Sequence, residues 1–399
     1  MTVKHWLTMI AAIALLESLA VPVMADEVHF VPSIAVIEEY NDNLFFDKED
    51  AVEDWITTLI GGIAWSSRSE RYELTLKGTV APFFYQDQSD FDEVDLDCLA
   101  GFGYRLTPRW QLRTDGFFRI DNRPDRDLET SGLIFGSNER RSYHGQASTQ
   151  YIVHENHTAT LSYSYDQHDW KDGAQRQDYH GHALDFLYSY DIGRWFRATQ
   201  LLLNAGYGRH EYDTSRIDAV YATFGMQRML DEVLRLKVSG GARYMDSRFD
   251  VGVVGPPPAT ITETSQTWGG IGSIGIDYLG ERTKCSLTLL HDLRTAGSRT
   301  GASDLTRLLL DLRYLIQEKF AIGLFTGYYL NRTDAGDYST LEQEEDTFSV
   351  RPFLRWQIHR NFYIEGSYQY TRVADKETDV SIARHRALCQ LRFEYDVMD

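Results

Sequence analysis

The chain has 399 residues, a formal net charge of −19 and 13% aromatic residues, with 24 Tyr and 20 Phe against only 3 Cys. Negative charge argues against a general nucleic-acid binder, which needs basic surface to displace counterions from phosphates, and three distant Cys supply neither a disulfide scaffold nor a zinc spacing. A mean hydropathy of −0.39 excludes a helical membrane protein but not a barrel, whose strands are apolar on one face only.

Residues 1–25 read as a secretory signal. Lys4 and His5 precede an apolar run from Trp6 to Leu16, and Val23-Met24-Ala25 offers small residues for cleavage after Ala25. No later stretch approaches the ~18 apolar residues of a spanning helix. The expected organisation is a signal peptide over 1–25 and one β-barrel over 26–399.

From about residue 30 onward, segments of roughly a dozen alternating residues are separated by breaks. Tyr72, Leu74, Leu76, Gly78 and Val80 face away from Glu73, Thr75, Lys77 and Thr79. The same period of two sets Leu234, Leu236 and Val238 against Arg235, Lys237 and Ser239, and Val350, Pro352, Leu354, Trp356 and Ile358 against Arg351, Phe353, Arg355 and Gln357. A helix would need apolar residues at three- and four-residue steps, which these segments lack. Short breaks, such as Leu106–Arg109, His154–Asn156, Asp191–Arg194, Gln317–Lys319 and His359–Arg360, alternate with longer polar ones. The longer ones include Asn41–Glu53, Gln86–Asp92, Asp121–Glu139, Glu211–Arg216, Ser247–Thr264 and Arg332–Glu345. This predicts an all-β fold, a transmembrane antiparallel barrel of about eighteen strands (sixteen to eighteen), with both termini on the short-turn, periplasmic side. Trp110, Trp195, Phe320 and Phe362 follow short turns and Trp65 precedes one, where a periplasmic aromatic girdle sits. Pro82 and Pro352 fall inside strands and imply a bulge or local end.

The first strand runs into Glu38-Glu39-Tyr40-Asn41-Asp42-Asn43-Leu44-Phe45. This segment resembles the opening of a β-barrel porin family encoded beside exopolysaccharide and exosortase systems. The Tyr40, Asn41, Asp42 and Asn43 run carries the resemblance, and the compatible strand pattern covers the mature chain. The resemblance implies an outer-membrane barrel tied to polysaccharide export or surface assembly, with no catalytic residues to carry over. One departure is that Tyr395 is followed by Asp396-Val397-Met398-Asp399, whereas such barrels commonly end on an aromatic residue read by the barrel assembly machinery.

Other motifs favour plain readings. Gly270-Ile271-Gly272-Ser273-Ile274-Gly275 matches a dinucleotide fingerprint by letters, but a strand follows where the fingerprint needs a helix. His180 and His182 lack a third metal ligand, so headgroup contact is expected of them. Cys98, Cys285 and Cys389 share parity with neighbouring Leu and are expected to face lipid. Ser162, Ser164 and His168 share a region without a nucleophile-elbow pattern. No metal, cofactor or catalytic centre is expected.

Charge placement says more. Segments 41–54, 86–93 and 331–346 hold most of the net negative charge, placing acids on the outer rim, where divalent cations could bridge them to lipopolysaccharide. Inward positions of the later strands are basic: Arg307, Arg313, Arg351, Arg355, Arg386 and Arg392, facing Asp311 and Glu394, with cancellation possible from Asp292 and Glu365. A basic arc in a pore raises the local concentration of anions. Three functions stay open: a porin-like channel or scaffold for exopolysaccharide export, working with that export machinery; a general diffusion porin for small anions; and a plugged structural barrel. In each case the location is the outer membrane of a Gram-negative bacterium, after signal cleavage.

Overall fold

The computed structural model describes residues 27–123, 139–171, 178–253, 259–295, 302–333, 343–376 and 379–398. The export signal expected over 1–25 lies outside them. The strands are β1 (Glu27–Asn41), β2 (Asp54–Arg68), β3 (Tyr72–Tyr85), β4 (Glu93–Thr107), β5 (Trp110–Asp121), β6 (Arg140–His154), β7 (His157–Trp170), β8 (Tyr179–Asp191) and β9 (Thr199–Tyr212). They continue as β10 (Ser215–Met229), β11 (Leu234–Val253), β12 (Ala259–Leu279), β13 (Thr283–Thr295), β14 (Ala302–Gln317), β15 (Phe320–Thr333), β16 (Gln343–His359), β17 (Phe362–Asp375) and β18 (Val380–Glu394).

Each strand pairs antiparallel with its neighbours in sequence, and β1 also pairs with β18, from Ser33 opposite Glu394 to Asn41 opposite Arg386. The sheet is therefore a closed barrel of eighteen strands, as the alternation predicted. Alternation sets which face meets lipid. On β16 Phe348, Leu354, Trp356 and Ile358 are exposed on the outside, while Glu345, Thr347 and Ser349 are buried on the inside. Leu289 of β13 and Leu308 of β14 are likewise exposed, two positions of one apolar belt. Trp110, Tyr151, Trp195 and Trp356 are exposed near its periplasmic edge, and Trp55, Phe84, Trp268 and Phe348 near its outer edge. These are the aromatic girdles of a membrane barrel.

The short turns share a construction. Thr107 pairs with Trp110, His154 with His157, Gln317 with Phe320 and His359 with Phe362, each after a one-residue shift of register. A bulge of this kind sharpens local twist and helps a tight turn join two tilted strands. The strands run through Pro82 and Pro352, but the ladder lapses on one side of each. The β2–β3 pairing is interrupted beside Pro82 and the β16–β17 pairing beside Pro352, as expected of a residue with no N–H to donate.

Three expected breaks differ. Glu211–Arg216 is not a long loop: β9 and β10 pair up to Tyr212 opposite Ser215, leaving two residues between them. Ser247–Thr264 is mostly strand, because β11 and β12 pair out to Val253 opposite Ala259. Polar Thr, Ser and Asp on a ribbon beyond the bilayer satisfy β geometry without an apolar face, so composition alone reads as loop. On the periplasmic side, the Asp191–Arg194 turn is longer than expected, with β9 starting only at Thr199. The β12–β13 ladder ends at Gly272 opposite His291, although both strands continue. Beyond that point the buried Arg243 of β11 pairs with Asp304 of β14. Gly269 makes room for it, since a Cβ there would lie 2.9 Å from the Arg243 Nε.

Leu308→Arg puts a charge on the lipid face and should cost ~2–4 kcal/mol near the midplane, with a smaller loss for Leu354→Arg nearer the interface. Gln390→Leu, on the inward face, should leave folding nearly unchanged. Urea titrations read by the faster gel migration of the unboiled barrel will measure all three.

Candidate functional site

The site of interest is the lumen, and its outer end is shaped by the segment between β1 and β2. That first loop turns into the barrel. Phe46 is buried against Val373 of β17 and Ile382 of β18, while Leu44 packs on Ile56, Phe83 and Tyr85 of β2 and β3. These are inward-facing residues on either side of β1, so the loop lies across the inner wall. The Arg384 guanidinium sits 4.2 Å from the centre of the Phe46 ring, a cation–π contact in a dry setting. Phe46 adopts a left-handed φ of 53°, a conformation costly for a side-chain-bearing residue and held here by its packing.

The four residues singled out in sequence build the base of this loop. Asp42 continues the β1–β18 ladder, its N–H donating to the His385 carbonyl at 3.2 Å and its Oδ1 accepting from the His385 N–H at 2.7 Å. The Asn41 Oδ1 accepts from the Asn43 N–H at 3.1 Å. The Asn43 amide donates to the carbonyls of Asp47 (2.8 Å) and Ala383 (3.4 Å), and its Oδ1 accepts from the Asp47 N–H at 2.9 Å. An Asn at this point supplies the donor and the acceptor that the turn needs together. The N–H groups of Asp50 and Glu49 hold the Asp47 carboxyl below its ordinary range. Tyr40 is different: it points outward, its ring 5.4 Å from Trp55 and its hydroxyl donating to Glu53 at 2.5 Å.

Beneath the loop lies a carboxylate that sequence reasoning passed over. Glu39 is 1% exposed; its Oε2 accepts from Arg386 Nη2 at 2.8 Å and from Arg123 Nη2 at 2.9 Å, and its Oε1 stands 2.8 Å from Arg386 Nε as an ion pair. Arg386 belongs to the adjacent β18, whereas Arg123 follows β5, three strands beyond β2. The pair Glu39–Arg123 thus ties together inner-wall positions well separated around the barrel. The one signal available was parity, since Glu39 shares its face with Ala35 and Ile37.

The expected basic arc is largely neutralised. Arg386 is bound to Glu39, Arg355 to Glu365 at 2.6 Å, and Arg392 to Glu394 at 2.5 Å. Arg307 faces inward on β14 beside Leu290 and has further interactions of its own. Among the described residues no carboxylate lies within ion-pair distance of Arg313 or Arg351, and Arg351 stands 5.6 Å from the centre of the Phe325 ring. Arg355 sits 4.7 Å from the Tyr363 ring in the same way. The opposite wall carries Asp95, Asp97 and Asp121 around a cavity with Arg119 and Arg123. Burial also changes along the axis: on β16 Glu345, Thr347 and Ser349 are buried, whereas Arg351 and Gln357 are open. The outer end is tight and the periplasmic end is open. Of the rim acids, Asp47, Glu49, Asp50 and Asp90 are exposed, whereas Glu345 and Asp54 are buried, Asp54 accepting from the N–H groups of Gln86, Asp87 and Gln88; Glu342 lies outside the described residues.

Gly270–Gly275 is an uninterrupted stretch of β12. His180 bonds Glu211 at 2.8 Å and His182 bonds the Tyr163 hydroxyl at 2.7 Å, both on the outer face. His168 bonds Ser142 rather than Ser162 or Ser164. Cys98, Cys285 and Cys389 are unpaired thiols, and among the described residues no three His, Cys, Asp or Glu gather as a metal site.

No family model matches the chain, and no curated protein matches it in sequence. Solved structures do. The copper transporter OprC aligns with a TM-score of 0.50 at 9% identity, over 91% of this chain and 64% of that one. The ferric citrate transporter FecA aligns at 0.49 and 11% identity, over 87% and 60%. OpdK from Pseudomonas aeruginosa aligns at 0.46 and 10% identity, over 92% and 99%. The chain therefore spans under two thirds of the two transporters. At these identities the OprC likeness speaks to fold alone, and the fold is that of an outer-membrane β-barrel.

Glu39→Gln removes the buried charge that two partly exposed guanidiniums share, so the loss should fall toward the lower end of the ~3–5 kcal/mol seen when one partner of a buried pair is taken away. The first loop should become sensitive to protease at Lys48 while the barrel still migrates as a folded band.

Proposed function

We propose that this barrel is an outer-membrane channel for small anionic solutes, passing them by diffusion and without chemistry. The observation that carries the reading is the first loop folded against the inner wall, which narrows the outer end while the periplasmic half remains open. Arg313 and Arg351, without carboxylate partners among the described residues, supply positive potential at close range to a confined ion. Of the six lumen arginines named from sequence, these two thus act on permeant ions, while Arg355, Arg386 and Arg392 spend their charge on fixed carboxylates. In this reading residues 1–25 direct export and are removed, the barrel assembly machinery inserts the chain, and the acidic rim meets lipopolysaccharide through divalent cations.

A second reading is a conduit for an acidic exopolysaccharide. It is favoured by Arg351 over the Phe325 ring, because a sugar acid offers a carboxylate to the guanidinium and an apolar face to the ring. A polymer would additionally require the first loop to leave the lumen.

In planar bilayers the purified protein should conduct with anion preference, weakening as the Debye length falls from ~10 Å at 0.1 M salt to ~3 Å at 1 M. Arg313→Gln with Arg351→Gln should lower the anion-to-cation permeability ratio by about two- to fivefold. Cation preference in the unmodified protein, or no conductance, would overturn the reading. Conductance that rises several-fold in Glu39→Gln and is then blocked by polygalacturonate but not dextran would favour the polymer conduit.

A further inference from the structure

The arginines at the periplasmic mouth contrast with those higher in the barrel. Arg119, Arg123, Arg140 and Arg386, toward the outer end, each bind a carboxylate, as Arg355 and Arg392 do near the periplasmic ends of β16 and β18. Arg68, Arg71, Arg105 and Arg113 line one cavity of about 210 Å³ on the inner wall of β2–β7, and among the described residues none has a carboxylate within ion-pair distance. All four are exposed. Only Glu70 and Glu73 oppose them in the lining.

Strand register builds this cavity. Arg68 lies opposite Glu73, Glu73 opposite Gly103, Gly103 opposite Arg113, and Arg113 opposite Ser148, in one row around the barrel. In the next row towards the periplasm, Arg105 lies opposite Gln111, Gln111 opposite Gln150 and Gln150 opposite Thr160. All of these face the lumen. Gly103 leaves the row open between Glu73 and Arg113, since a Cβ there would meet nothing closer than 3.9 Å. Guanidiniums recognise carboxylates through paired N–H groups. The neighbouring Ser148, Thr160, Gln111 and Gln150 offer hydroxyl and amide groups that can both donate and accept.

We propose that this vestibule wall is a binding site for sugar acids, alone or as the end of an oligomer, with Arg105 and Arg113 holding the carboxylate and the Ser, Thr and Gln side chains meeting the hydroxyls. The volume is below the ~300–1,000 Å³ of pockets for drug-sized ligands, so one sugar unit is the natural occupant. This goes beyond the channel reading and does not depend on the outer end being open, because the site is reached from the periplasm.

Titration calorimetry of the detergent-solubilised full barrel with trigalacturonate, maltotriose and inorganic phosphate tests it. Trigalacturonate should bind, maltotriose should not, and phosphate should bind at least about tenfold more weakly. Arg105→Gln and Arg113→Gln should each weaken trigalacturonate by about tenfold or more, and Gly103→Leu should abolish binding by filling the space without changing charge. Glu73→Gln, which removes an opposing acid, should tighten binding, a result that misfolding cannot mimic. Phosphate binding as tightly as trigalacturonate, or losses confined to Arg351→Gln, would overturn the proposal. Binding at the vestibule without conductance in bilayers would sink the channel reading and leave this site standing; conductance without such binding would do the reverse.

Discussion

A backbone amide inside a bilayer has no water to bond, and every strand crossing it must be paired along both edges. That demand fixes almost everything else about this chain. It forces the sheet to close by β1 against β18, which divides every strand's residues into a lipid set and a lumen set. Once divided, the two sets are subject to opposite chemistry. Leu308 and Leu354 face lipid, while Glu39, Arg386 and Asn331 are confined to an interior where each charge needs a partner or water.

Much of this was legible beforehand because a period of two is a local property. Strand number, facing and the aromatic girdles all follow from residues within a few positions of one another. The misread segments are those where lipid no longer imposes the alternation. Thr260, Thr262 and Thr264 continue β12 as a polar ribbon beyond the belt, and Asp213-Thr214 makes a tight hairpin where a longer loop was expected. The interior was harder still. That Arg386 would meet Glu39 depends on residues 347 positions apart, and Arg123 reaches the same carboxylate from beyond β5. Nothing in the spacing of either sequence segment announces the other. The Tyr40–Asn43 run was visible as a motif, but not its work as the hinge that sends Leu44 and Phe46 inwards.

The charge of the molecule is also sorted by depth. Acids such as Asp47, Glu49 and Asp50 sit in the first loop, with their potential spread into solvent at the outer end. Ion pairs such as Arg140–Asp121 and Arg386–Glu39 lie on the wall beneath it. Among the described residues, arginines without a carboxylate in ion-pair reach stand at Arg313, Arg351 and again around the periplasmic cavity. An overall charge of −19 therefore says little about the path through the barrel, because a permeating molecule samples the wall and not the sum.

The first loop's seat has a consequence for the order in which the molecule comes into being. Ile382, Arg384, the Ala383 carbonyl and the Asp42–His385 pair all belong to the last strand or its register with the first. During synthesis and insertion those residues arrive at the very end, some 340 positions after the loop itself. Until β18 docks on β1, Phe46 has no apolar floor and Glu39 lacks Arg386. The lumen consequently narrows in the same event that seals the wall, and a barrel caught before its final seam is a wider vessel than the finished one.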